Sequence, residues 1–145
     1  MSPDEERESL ARKFDRHADE EGAILAEYRV LAEKLKNSSA GMLVNQILTD
    51  EEIHHLLLRT IATWLREPEG KAKTTIPPGA NRGDLLRVTQ ALQRHEGETI
   101  EACRALLQQL SDNSGELIDA LLEAMVLDSE KHQRLLTAVE KALRR

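Results

Sequence analysis

Apolar residues recur along the chain at alternating steps of four and three, the spacing of one face of a helix. The first stripe runs Leu10, Phe14, His17, Glu21, Ile24, Tyr28, Leu31 and Leu35, and it stops at the turn-forming Asn37-Ser38-Ser39. A second stripe, Ala40, Val44, Ile47, Glu51, His54, Leu58, Ile61 and Leu65, follows at once, with Ser38 or Ser39 placed to cap its start. The 18 residues from Arg66 to Gly83 are rich in proline and glycine and carry no apolar period, so they read as a connection. Beyond them a third stripe (Leu85, Thr89, Leu92, Glu96, Thr99, Cys103, Leu106, Leu110) and a fourth (Ile118, Leu122, Met125, Ser129, His132, Leu136, Val139, Leu143) flank the turn Ser111-Asp112-Asn113-Ser114-Gly115.

The two halves repeat. Each member of the third stripe lies 75 residues after its counterpart in the first, and each member of the fourth lies 78 after its counterpart in the second. TDEEIHHLLL at 49–58 aligns with LDSEKHQRLL at 127–136, and Glu21-Gly22 aligns with Glu96-Gly97. The pattern predicts helices at 5–36, 39–66, 84–111 and 115–143, paired as two equivalent hairpins (5–66 and 84–143). A helix of about 26 residues is roughly 39 Å long at about 1.5 Å per residue. An extended connection over 66–83 can run that length, so the expected fold is all-α: one domain, an antiparallel four-helix bundle of two hairpins with helices two and three parallel across a long crossover.

Polar residues interrupt these stripes where leucine would be cheaper to bury. Glu21, Glu51 and Glu96 occupy apolar-stripe positions together with His54 and His132, and counting from the two turns puts all five near mid-helix. Carboxylates about 5 Å apart repel by roughly 3 kcal/mol at an effective dielectric near 20. Three of them in one seam call for protons, arginines or cations. Carboxylate and imidazole without a thiolate cluster favour iron or manganese, one ion or two.

These residues resemble the ferritin and rubrerythrin superfamily, in which one helix of each hairpin gives a Glu and the other gives Glu-x-x-His to hold two metals. The first hairpin matches in full with Glu21, Glu51 and His54. The second matches at Glu96 and His132, but Ser129 stands where a glutamate is expected, and Asp128 beside it is the substitute ligand or a partner that orients the histidine. The resemblance implies a di-iron or di-manganese carboxylate protein, an oxidoreductase of ferroxidase or peroxidase type. It also implies an external electron donor, since no CxxC pair of a rubredoxin domain is present. The opposing reading is a metal-free bundle that dimerises or binds a partner and keeps the cluster as a vestige.

Other positions fit plainer roles. His17 is expected to be a hydrogen-bonded core histidine, His55 and His95 to fall off the seam with His55 partly solvated, Cys103 to be inert packing, and Tyr28 to pack in the core with its hydroxyl satisfied. A formal net charge of -6 argues against nucleic acid or an anionic membrane as partner. The acidic start MSPDEERE and the single cysteine suggest a cytoplasmic protein, and no apolar run is long enough to span a bilayer. Extra apolar positions at Leu43, Leu48, Leu57 and Trp64 predict a homodimer.

Overall fold

The computed structural model describes residues 1–67, 75–110 and 115–145. Four helices account for nearly all of them: α1 (Pro3–Lys34), α2 (Ser39–Arg66), α3 (Arg82–Leu110) and α4 (Glu116–Arg144), with no strand among the described residues. The chain divides into two compact units, Met1–Ala72 and Lys73–Arg145, each a hairpin in which α1 packs on α2 or α3 on α4. The all-α class and the hairpin pairing are therefore as expected. Residues 68–74 of the predicted crossover over 66–83, and 111–114 of the predicted second turn over 111–115, lie outside the described residues.

Helix boundaries follow from local chemistry. α1 begins two residues earlier than the apolar period suggests because Ser2 and Glu5 form a reciprocal capping box and Pro3 occupies the first turn. The first turn closes through Asn37, whose φ of 64° is tolerable for asparagine, and Ser38 then caps α2 by accepting from the Gly41 amide at 3.0 Å. Gly41 is required sterically: a Cβ there would stand 2.3 Å from the Leu35 carbonyl oxygen. Asn81 caps the start of α3 in the same manner, accepting from the Asp84 amide at 3.1 Å.

Each hairpin is closed at its open end by an arginine. Arg7 donates to the carbonyls of Leu65 and Glu67, while Arg82 donates to those of Ala142, Leu143 and Arg145 at 3.1–3.3 Å. Arg7 and Arg82 are equivalent in the repeat, as are Leu65 and Leu143, so one device serves both halves. A guanidinium suits the task because the last carbonyls of a helix lack backbone donors and carry partial negative charge.

The buried seam differs from the predicted stripe by half. The buried and half-buried positions include, along α1 and its C-cap, Ala11, Phe14, Ala18, Glu21, Leu25, Tyr28, Ala32 and Leu35, and along α2, Gly41, Val44, Leu48, Glu51, His55, Leu58, Ala62 and Leu65. The equivalent residues line the second hairpin, where Ile100, Cys103 and Val126 form a small core with Leu122 against it. Alanine and glycine decide the choice, because small side chains at alternate seam positions let two helices approach closely. Leu10, Ile24, Leu31 and Ile47, assigned by pattern to the seam, instead face out of the first hairpin at 42–44% exposure. Leu85, Leu92, Leu106, Ile118, Met125 and Val139 face out of the second, at 38–48% exposure.

Candidate metal centre

In the first hairpin, α1 and α2 bring Glu21 against Glu51 at mid-length. Both are half-buried, and a hydrogen bond to Glu21, reinforced by burial and by the like charge of Glu21, pushes the Glu51 carboxyl above the usual range for glutamate. One oxygen of Glu21, Oε2, is buried without a hydrogen-bond partner. His54, one turn beyond Glu51, places Nδ1 3.8 Å from the Glu51 carboxylate and leaves its side chain 56% exposed. Two carboxylates crowd the hairpin seam, then, and an imidazole stands at its outward edge.

The equivalent place in the second hairpin is less charged. Glu96 faces His132 across α3 and α4, with Oε1 3.2 Å from Nδ1. Ser129, in the position of Glu51, is buried at 5% exposure and brings no charge to Glu96. Asp128 lies 3.5 Å from the ammonium of Lys131 on its own helix. Among the described residues no group of three or more His, Cys, Asp and Glu side chains is arranged to hold a metal ion. What the structure brings together is the Glu21–Glu51 pair with His54 beside it, and separately the Glu96–His132 pair.

Two histidines behave differently from expectation. His17 is a surface residue, 63% exposed, with Nδ1 3.5 Å from Glu20, because it lies on the outward stripe that the hairpin seam bypasses. His55, expected off the seam, is in it: half-buried, its ring folded over Gly22, where an added Cβ would be 3.6 Å from Cε1. Its Nδ1 is buried without a hydrogen-bond partner, making it the second such atom among the described residues beside Glu21 Oε2. Gln133 takes the same place over Gly97, where a Cβ would lie 3.3 Å from Nε2. The repeat of a glycine directly after the glutamate, opposite His55 and Gln133, was the sequence signal for this packing.

The remaining polar groups are structural. Arg66 binds Glu8 at 3.0 Å and Asp15 at 2.6 Å, which raises the guanidinium pKa and lowers that of Glu8. Arg59 binds Asp19 at 2.8 Å, and Arg104 binds Glu130 at 2.9 Å. Cys103 is buried at 3% exposure among aliphatic neighbours, as an inert packing residue should be, and Tyr28 is half-buried. No described helix is long and apolar enough to cross a membrane.

Glu21, Glu51 and His54 are of the donor types that suit a hard or borderline divalent cation, and one oxygen of Glu21 is buried without a hydrogen-bond partner, but the three are not gathered into a metal-holding group. No protein-family model matches the sequence, and neither a curated protein nor a solved structure does.

Proposed function

We propose that this chain is a ferritin-like metal-binding protein whose principal ligands are Glu21, Glu51 and His54, with Glu96 and His132 as a reduced counterpart in the second hairpin. The observation that carries this reading is the Glu21–Glu51 pair: two carboxyls hydrogen-bonded at mid-hairpin that repel once both are ionised, with the second oxygen of Glu21 buried and without a partner. Repulsion of this kind is a cost that folding alone does not explain, since leucine at either position would pack without it. A divalent cation removes the repulsion and satisfies the orphaned oxygen together.

The assembly that suits the ligands is a four-helix bundle. Each hairpin buries one stripe and leaves a second apolar stripe outward, and His54 and His132 stand on that second stripe. Covering the stripe with another hairpin would enclose the imidazoles and the carboxylates behind them. Bound iron or manganese would supply redox chemistry toward oxygen or peroxide, or the oxidation of ferrous iron as substrate. The chain's own part is to hold the ligands at fixed height, to exclude water with Ile24 and Ile47 on either side, and to keep the carboxylates ionised once a cation is present.

The test is metal analysis of the full chain reconstituted anaerobically with ferrous iron or manganese. Retention of metal after desalting, lost in Glu21→Ala and Glu51→Ala while helicity persists, supports the reading. Wild-type protein that retains no metal overturns it and leaves the metal-free bundle.

A further inference from the structure

α2 presents three sides. Its seam packs on α1, and its outward stripe of Ala40, Ile47, His54 and Ile61 has an equivalent in α4. The third side, opposite the seam, carries Met42, Thr49, Ile53, Leu56, Thr60 and Thr63 at helical spacing, without one charged residue. Met42, Ile53 and Leu56 are 57%, 48% and 64% exposed. Thr60 and Thr63 turn their hydroxyls back to the carbonyls of Leu56 and Arg59 at 2.8 and 3.0 Å, which leaves their methyls to the surface. The equivalent positions of α4 are Ala120, Leu127, Lys131, Arg134, Ala138 and Lys141, of which three are cationic. Solvent alone gives no reason to shed charge in one repeat and keep it in the other, so this side of α2 has a partner that the same side of α4 lacks.

We infer that the partner is a second copy of this chain, with the two α2 helices packed antiparallel about a two-fold axis beside Ile53. The stripe is centred on its helix: Met42 lies three residues after the first, Ser39, and Thr63 three before the last, Arg66. An axis across the helix middle therefore lays Met42 over Thr63 of the other copy, and Thr49 over Leu56, while Ile53 meets Ile53. That is the self-complementarity an isologous contact requires. Charge on the rims fits this occupant. Toward α1, Glu52 pairs with Arg29 at 3.8 Å and Arg59 with Asp19 at 2.8 Å, so two copies of a chain of net charge -6 meet here without a surplus of either sign. The opposite rim is Leu43, Asp50, Leu57 and Trp64, and neither rim has the basic excess that would suit an anionic membrane. The stripe is about 32 Å long at about 1.5 Å per residue. With roughly half of each side chain exposed, a pair of such stripes buries on the order of 1,000 Å², the level at which a contact becomes specific. None of the residues proposed as metal ligands takes part, so the contact stands or falls apart from metal binding.

The test is sedimentation equilibrium of the full chain at micromolar concentration, beside the variant Ile53→Lys/Leu56→Arg. This variant gives α2 the residues that the repeat places at exposed positions of α4. The expected result is twice 16.3 kDa for the wild type and 16.3 kDa for the variant, with the same helical circular dichroism. Oxidation of Ile53→Cys should then join two chains, because residue 53 meets itself at the axis. Met42→Cys, about 16 Å along the helix from the axis, should stay single. Wild type serves as the blank, since its one thiol, Cys103, is buried. If the double variant loses helicity, the cross-linking decides alone. A wild type of 16.3 kDa, a helical double variant that keeps the dimer mass, or an Ile53→Cys chain that oxidation leaves single overturns the proposal. A wild-type monomer that binds anionic vesicles also overturns it, and gives this side of α2 to a membrane surface.

Discussion

Glu51→Gln should make the metal-free protein more stable at neutral pH. In the wild type, the Glu51 carboxyl is held against Glu21, and its side chain is only 21% exposed, so solvent screens the contact incompletely. The amide keeps the shape, removes one charge and offers an N–H to the Glu21 carboxylate, whose Oε2 lacks a donor. A hydrogen bond to a charged group contributes about 1.5–3 kcal/mol, and partial exposure brings the expected gain to about 1–2 kcal/mol. The pH dependence has a definite sign. Because the folded protein raises the Glu51 pKa above the ordinary 4.5, wild-type stability from this group is fully present below that value and is lost as pH rises through the folded pKa. Glutamine does not titrate, so the advantage of the variant should be small near pH 4 and grow toward neutrality. Urea denaturation of both proteins in chelator, at acid and neutral pH, gives the comparison directly. A variant that is less stable than wild type at neutral pH, or an advantage that does not change with pH, would show that the two carboxyls do not oppose each other.

Other substitutions test the frame that holds the site. Gly41→Ala drives a methyl into the Leu35 carbonyl and should cost about 1–3 kcal/mol, read as an earlier denaturation midpoint. Arg82→Ala should cost about 1 kcal/mol and speed amide exchange in the last turn of α4, whose carbonyls it holds. Ser129→Glu places a carboxylate in a position that is 5% exposed, so it should lower the melting temperature without metal and recover much of that loss when manganese is added. Equal melting of Ser129→Glu with and without manganese would deny the second hairpin any latent ligand role.

The sequence revealed helices, hairpin pairing and repeat because these rest on local signals: capping serines, the Asn37 turn and an offset that holds over eight positions. It misplaced half of each seam. Leu10 and Ile24 look more like core than Ala11 and Ala18, yet the alanines are fully buried because two helices in close contact need small residues between them. The same shift turns His17 outward and His55 inward, since the seam follows a different stripe from the one the apolar pattern marks. Glu21, Glu51 and Glu96 belong to the positions that the stripe and the hairpin seam share, and all three are half-buried. Asp128 stands beside Ser129 in sequence, and Lys131, three residues on, lies close enough to pair with it. The arginine clamps were visible as the repeated pair Arg7 and Arg82, but an arginine at a helix start gives no sign of its partner until the hairpin is folded.

Crystals of the manganese-loaded protein, measured on both sides of the manganese absorption edge, would locate the metal without reference to activity. The account predicts an anomalous peak within coordination distance of Glu21, Glu51 and His54 in the wild type. Loaded crystals with no peak at these residues, or with the peak elsewhere on the chain, would contradict it.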